Sequence, residues 1–185
     1  MNEAIFTQVQ KEMDGSVAVL RKDLTKLRTG RASTALLEHI TVDYYGASTP
    51  LNQLATLSAP EPRLLVIQPF DRAAMTEIEK AILKSDLGLT PNNDGKIIRI
   101  PIPALTEDRR KELVKHVKKI AEEYRVSVRN HRRVAIEQLK EAEKKKEITA
   151  DEAKHGLDRV QKITDDFIGR IDKIVKAKED EVMAI

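Results

Sequence analysis

The feature that most constrains this chain is a recurrence of apolar residues every three or four positions along three long stretches. In residues 2–29 the apolar positions run from Phe6 to Leu27 at these spacings, which puts them on one stripe of a helix. The pattern returns over residues 106–147 and 150–184. An amphipathic helix cannot bury such a stripe alone, so the three stretches together predict a three-helix bundle.

The lengths and ends of these helices add detail to the bundle. A helix over residues 106–147 would be about 60 Å long, which predicts an elongated molecule. The short connection at residues 144–148 predicts antiparallel packing of the second and third helices, and Thr149 with Glu152 fits a capping box. Gly30 is the predicted C-cap of the first helix.

Residues 31–104 follow a different pattern, typical of a small β/α/β domain. Residues 40–45 alternate with period two and precede a predicted turn at 48–50, and short strands are predicted at 64–67 and 97–100. A helix is predicted around residues 73–84 and a turn at Pro91–Gly95. The predicted fold is therefore α+β. The bundle spans residues 1–30 plus 105–185, and the inserted domain spans residues 31–104.

Two crossings of the chain would join these domains and act as a hinge. The predicted hinge residues are Thr29, Gly30, Arg31, Pro101, Pro103, Ala104 and Leu105.

Several classes of function lack any signal in the sequence. The chain has no cysteine, no phosphate-cradling glycine loop and no histidine pair at metal-ligand spacing, so no metal and no cofactor is expected. No nucleophile pairs with a base in the sequence, and we expect no catalytic residue and no enzyme. His131 lies on the apolar stripe and is interpreted as a partly buried structural histidine. Without an apolar run of membrane-spanning length or a secretory signal, the expected location is the cytoplasm.

The positive charge is concentrated in one segment. The chain has a net charge of +3, yet Arg109–Arg133 holds ten lysines and arginines against three glutamates. A polyanion is the natural partner of such a helix. Because aromatic residues make up only 3% of the chain, we expect folded RNA read by its shape rather than bases stacked on aromatic rings. The alternative is a set of ordinary solvated charges.

Helical geometry assigns the candidate RNA-binding residues. At 100° per residue, Lys111, Lys118, Arg125, Arg129 and Arg132 are expected on one outward face, away from the apolar stripe. Arg28 and Arg31 flank Gly30 at the end of the first helix. Arginine suits this role because its planar fork binds phosphate in bidentate fashion.

Short motifs across the chain resemble those of the ribosome recycling factor family. They lie in family order at Leu27–Ser33, Val42–Gly46, Thr49–Ala55, Ser85–Leu89, Asn93–Gly95, Leu105–Arg110, Val128–Arg133 and Thr164–Ile168.

The resemblance implies an L-shaped molecule of tRNA-like size. It also implies a monomer that binds the post-termination ribosome and, with elongation factor G and GTP, promotes dissociation into subunits, with GTP hydrolysed by the partner. The residues that match the family's contact with large-subunit ribosomal RNA are Arg28, Arg31, Arg129 and Arg132, with Arg133 beside them. Two other interpretations stay open: a generic helical RNA-binding or chaperone-like protein, and an enzyme with carboxylates gathered from distant positions.

Overall fold

The structure is a computed structural model that describes residues 2–184. Met1 and Ile185, which the sequence analysis assigned to the bundle, lie outside the described residues. The described chain divides into two compact units. The first holds the residues up to Thr29 together with Glu107–Ala184, and the second holds Gly30–Thr106.

Five α-helices and six strands are found in the described residues. The helices are α1 (Asn2–Thr25), α2 (Leu51–Leu54), α3 (Met75–Lys84), α4 (Glu107–Lys144) and α5 (Ala150–Met183). The strands are β1 (Thr41–Tyr44), β2 (Ala47–Pro50), β3 (Ala55–Glu61), β4 (Leu64–Pro69), β5 (Asn92–Asn93) and β6 (Ile98–Pro101).

The first unit is the predicted three-helix bundle. The side-chain contacts show the directions of the helices. Helix α4 runs antiparallel to α5, because Arg125 pairs with Asp172 and Arg132 with Gln161, and its contacts with α1 show that it is antiparallel to that helix too. The apolar stripes meet in one continuous core. Its fully buried members include Met13, Leu20, Val117, Val128, Leu139, Val160 and Ile171, all 0% exposed. Within residues 2–184, none of the helices combines the length and the hydrophobicity of a membrane-spanning segment.

The helix ends confirm one predicted cap and correct another. At the start of α5, the Glu152 amide donates to Thr149 Oγ1 and the Thr149 amide donates to the Glu152 carboxylate, at 3.2 and 2.7 Å. The predicted end of α1 at residue 29 is wrong, because the helix ends at Thr25 and a tighter turn follows it. Gly30 is therefore not a helix cap, although its φ is positive at 74°.

The second unit, residues 30–106, contains two antiparallel sheets and α3. One sheet is the β1–β2 hairpin, and the other has the strand order β3-β4-β6-β5. Its core is separate from that of the bundle. The core includes Leu37, Val42, Leu51, Leu65, Ile67, Ile78, Ile82, Ile98 and Ile100, each 0% exposed. The predicted strands at 64–67 and 97–100 and the predicted helix are confirmed, the helix proper starting at Met75.

The turn predicted at residues 48–50 is wrong, because those residues belong to β2. The reversal lies at Tyr45 and Gly46, whose φ angles are 51° and 80°, the two positive values that a type I′ hairpin turn requires. The Gly46 amide donates to Asp43 Oδ1 at 2.9 Å and fixes the turn. Strand β3 was not predicted, and the turn predicted at Pro91–Gly95 includes the short strand β5.

A hydrogen bond between α1 and α4 couples the packing of the bundle to pH. The Tyr124 hydroxyl donates to Asp23 Oδ2 over 2.5 Å. This bond to a carboxylate raises the pKa of Tyr124 to about 12 and holds the pKa of Asp23 below its usual value. Both shifts favour the neutral phenol beside the ionised carboxylate.

We expect Tyr124→Phe to destabilise the first unit at about pH 7 and to do so less at about pH 3. The folded pKa of Asp23 is lowered, so its contribution is present above the unfolded pKa and is lost as pH falls through the folded value. Urea unfolding at both pH values measures the change. Tyr45→Phe, in the exposed turn, is the control and should have no effect at either pH. An undiminished effect of Tyr124→Phe in acid would contradict this account.

Candidate nucleic-acid interface

The two helices beside α4 determine what each of its sides can bind. On one side of its buried stripe, Tyr124 and His131 contact α1. On the other side, Arg125 and Arg132 contact α5. The remaining side faces away from both helices.

Four arginines lie along the α5 border of α4 and on the open side next to it. We call them the arginine face, and its members are Arg125, Arg129, Arg132 and Arg133. Each has a different set of neighbours, so the four are not equivalent.

Arg125 is largely taken up by contacts within the bundle. Its Nε and Nη2 both donate to Asp172 Oδ1 on α5, at 3.0 and 2.7 Å, and its Nη1 donates to Glu122 at 3.3 Å. The side chain is only 24% exposed. Burial disfavours its charged form, but the two carboxylates outweigh that cost and raise the pKa of Arg125. This guanidinium ties α4 to α5.

Arg129 is more accessible and shares one of those carboxylates. Its Nη1 donates to Glu122 Oε1 at 2.9 Å, while the side chain is 47% exposed. The hydrogen bonds from Arg129 and Arg125 hold the pKa of Glu122 below its usual value. Glu122 thus stays ionised and partly compensates both arginines.

Arg132 contacts a neutral partner instead. Its Nη1 donates to Gln161 Oε1 on α5 at 3.0 Å. Its Nε is buried and has no hydrogen-bond partner among residues 2–184. The positive charge of this side chain therefore has no carboxylate directly bonded to it.

The expected outward orientation is correct for only part of the set. Arg125 and Arg132 are half-buried against α5, which corrects the expectation that they point outward. They lie three residues before and four residues after the buried Val128, so they share the border of its stripe. The residues that are exposed as expected are Lys111, Lys118 and Arg129, and Arg133, for which no orientation was predicted, is exposed as well.

The structure does not gather all the candidate cations. Arg28 is exposed in the first unit, but it lies far from Arg132 along the bundle. The hydrogen bond between Asp23 and Tyr124 places these two residues at the same height, and Arg28 lies on one side of that height while Arg132 lies on the other. The separation along the bundle is roughly 20 Å. Arg31 is exposed and belongs to the second unit. The arginine face is therefore the dense part of the candidate interface.

His131 is the partly buried histidine that the sequence predicted, but it does meet a nucleophile. Its Nδ1 lies 3.1 Å from Glu12, and its Nε2 lies 3.3 Å from Ser16 Oγ, so the expectation that no nucleophile meets a base is wrong in geometry. Ser16 lies in the middle of α1, where the backbone N–H groups are used in helical hydrogen bonds. They therefore cannot form an oxyanion hole beside its hydroxyl. The cluster, which includes Ser127, joins α1 to α4.

The predicted hinge residues are held from both ends. Thr29 Oγ1 donates to Glu181 on α5 at 2.8 Å, within the first unit. Gly30 packs on Leu105 within the second unit, where an added Cβ would lie 2.8 Å from Leu105 Cγ. Pro101 ends β6, and the next exposed residues of the returning segment are Pro103 and Ala104.

Comparison with known proteins identifies the family. The family model described as ribosome recycling factor matches residues 20–183. The ribosome-recycling factor of Carboxydothermus hydrogenoformans is 56% identical over 185 residues, covering 100% of both chains, and that of Bacillus subtilis is 52% identical with the same coverage. This chain belongs to the ribosome recycling factor family.

Solved structures of the ribosome recycling factor family share its fold. A solution structure of ribosome recycling factor matches with a TM-score of 0.75 and 46% identity over 100% of this chain and 98% of that one. A T. thermophilus ribosome recycling factor matches with a TM-score of 0.66 and 47% identity, covering 100% of both chains. That factor is described together with E. coli elongation factor G, bound to the E. coli post-termination complex. The family acts in ribosome recycling after translation terminates.

Sequence reasoning missed the partners of the arginines. Glu122 lies three and seven residues before Arg125 and Arg129, a helical spacing that could have indicated the contact. Asp172 and Gln161 are on another helix, and their partners depend on the register of α5 against α4, which the sequence pattern does not give.

We expect Arg125→Met to lower the free energy of unfolding by about 1 kcal/mol, because it leaves Asp172 without its cation and Glu122 with Arg129 alone. Arg133→Met removes the same charge from an exposed position and should change stability by less than about 0.5 kcal/mol. Urea unfolding at low and moderate salt measures both. Equal losses in the two variants would show that Arg125 is not a structural tie.

Proposed function

We propose that this chain binds the post-termination ribosome through large-subunit ribosomal RNA and, with elongation factor G and GTP, promotes its dissociation into subunits. The observation that carries the proposal is the full-length match to ribosome recycling factors, 56% identical over 185 residues. The T. thermophilus relative described with elongation factor G on the post-termination complex supports the choice of partner. The arginine face supplies the RNA-binding chemistry.

The exposed cations and the half-buried Arg132 bind RNA phosphates in this proposal. Arg125 contributes by holding α5 in register and adds only a partly compensated charge. Each phosphate contact releases condensed counterions, so the affinity falls as the salt concentration rises. The slope of log affinity against log salt is about −0.7 to −0.9 per contact. The dense part of the surface is Arg129, Arg132 and Arg133, Lys118 extends it along α4, and Arg28 and Arg31 add contacts elsewhere.

The chain supplies binding and leverage, and the partner supplies the bond chemistry. Elongation factor G hydrolyses GTP, and this chain acts in the cytoplasm as a monomer, without a metal or a cofactor of its own. Nothing in this role requires the Ser16–His131–Glu12 cluster to react. The cluster keeps α1 and α4 together while force is applied to the bundle.

In this proposal the two units move relative to each other by rotation at the two short segments that connect them. The first of these segments follows α1. Thr29 is bonded to α5 in the first unit. Three residues later, the Ala32 amide donates to the Pro62 carbonyl at 2.7 Å in the second unit. The rotating bonds of this crossing therefore lie between Thr29 and Ala32, around Gly30.

The second segment is the return to the bundle. The Ile102 amide donates to the Arg63 carbonyl at 2.9 Å in the second unit, and α4 begins at Glu107 in the first. The rotating bonds of this crossing therefore lie between those two anchors, in the segment that includes Pro103–Leu105.

Subunit splitting tests the proposed function. Purified post-termination ribosomes are mixed with this chain, elongation factor G and GTP, and light scattering is followed. We expect a fall that needs all three components. Arg132→Ala should weaken ribosome binding about tenfold or more at moderate salt, because it removes a charge-assisted contact. Lys173→Ala removes an exposed positive charge from a different helix, α5, and is the control.

The outcomes separate the alternative functions. Ribosome binding without splitting, with a partner known to function on those ribosomes, would favour a generic RNA-binding protein. Absence of both binding and splitting would refute the proposal. Unchanged affinity of Arg132→Ala would remove the arginine face as the anchor.

We expect Gly30→Ala to reduce splitting while ribosome binding is retained. The φ of 74° disfavours any residue with a Cβ, and that Cβ would press on Leu105, so the connecting segment must adopt another path. Gly15→Ala is the control, since its added Cβ would meet nothing within 4 Å apart from the backbone of its own helix, and alanine favours a helix. The measurements are light scattering and ribosome pelleting. Full splitting by Gly30→Ala would exclude this glycine from the hinge.

A further inference from the structure

Three members of the arginine face form hydrogen bonds to other side chains, and they differ in how their positive charges are compensated. Arg125 is bonded to two carboxylates and Arg129 to one. Arg132 is bonded to an amide, and it forms no ion pair with any of the residues that the structure describes. It therefore keeps its charge while its guanidinium is held in place.

The partner of Arg132 is itself held by a second bond. Gln161 Oε1 accepts from Arg132 Nη1 at 3.0 Å, and Gln161 Nε2 donates to Asp165 Oδ1 at 2.8 Å, one turn further along α5. The orientation of the amide follows from its neighbours, because a guanidinium can only donate and an ionised carboxylate can only accept. The amide thus separates Arg132 from the nearest acid in this chain of hydrogen bonds.

We infer that Gln161 is a positioning residue for RNA binding: it fixes the Arg132 guanidinium for a phosphate without neutralising it. This inference rests on the proposed function and assigns a role in the same site to a residue on a different helix. The Arg132–Gln161 contact orders a long side chain before binding, and ordering in advance reduces the entropy lost when the phosphate is bound.

Glutamine is the residue type that this arrangement requires. Glutamate at this position could accept from Arg132 but could not donate to Asp165, and its charge would compete with the phosphate. Lysine could donate to Asp165 but could not accept from Arg132. Methionine has a similar length and fits a helix, but it makes neither hydrogen bond.

Two substitutions separate positioning from charge. Gln161→Met should weaken binding to large ribosomal subunits about two- to tenfold with an unchanged salt slope, because Arg132 keeps its charge but loses its support. Gln161→Glu should weaken binding further and reduce the magnitude of the slope of log affinity against log salt by about 0.7 to 0.9, the value of one phosphate contact. The matched control is Gln138→Glu, which makes the same change of charge on α4. Gln138 lies on the side of α4 next to α1 and not on the arginine face.

A second background tests whether the effect passes through Arg132. In Arg132→Ala, the change from Gln161 to Met should have no further effect on affinity, and Gln161→Glu should match Gln138→Glu. Circular dichroism and urea unfolding of each variant show whether the bundle is intact.

The results separate failure of the proposed function from failure of the positioning role. If the wild-type chain does not bind, or Arg132→Ala binds as well as wild type, the proposed function or its anchor fails, whatever Gln161 does. If Arg132→Ala weakens binding while Gln161→Met equals wild type and Gln161→Glu equals Gln138→Glu, the positioning role alone is overturned. Additive effects of the Gln161 and Arg132 substitutions would also overturn it.

Discussion

The need to cover the apolar stripe of α4 along its whole length governs the first unit. A helix of 38 residues is about 57 Å long, so its stripe must be covered by long partners to stay out of water. Helix α5 has 34 residues and α1 has 24, and they pack on the two borders of the stripe. Side chains on those borders are partly buried and form hydrogen bonds to α1 or α5. This burial decides which of the charges on α4 remain available to a ligand.

Charge compensation then divides arginines that look equivalent in the sequence. The carboxylate of Asp172 on α5 makes Arg125 a link between the two helices. The carboxylate of Glu122 on α4 reduces the effective charge of Arg129. Such an ion pair adds at most about 1 kcal/mol to stability, and it also changes the local field that an approaching phosphate meets. The binding surface is consequently smaller than a count of cations indicates, and the choice of an amide or a carboxylate on α5 adjusts each position.

Periodicity predicted the parts of the fold that depend on burial along one helix or strand. The three long helices, the capping box at Thr149 and the strands at 64–67 and 97–100 all follow from local pattern. The hairpin turn at Tyr45 could not be predicted in this way, because tyrosine rarely adopts a positive φ and the two-residue loop is required by pairing of β1 with β2.

The candidate site shows the same division. Residue types and helical spacing indicated the positive helix, but the contacts of Arg125 and Arg132 depend on how α5 is aligned with α4. That alignment comes from the interlocking of two whole stripes, including the close approach of Gly156 to Leu139, where an added Cβ would lie 3.1 Å from the leucine. Such a fit is a property of both helices together. Gln161 lies opposite Arg132 only in this alignment, so the chemistry of the arginine face is set by the same packing that buries the core.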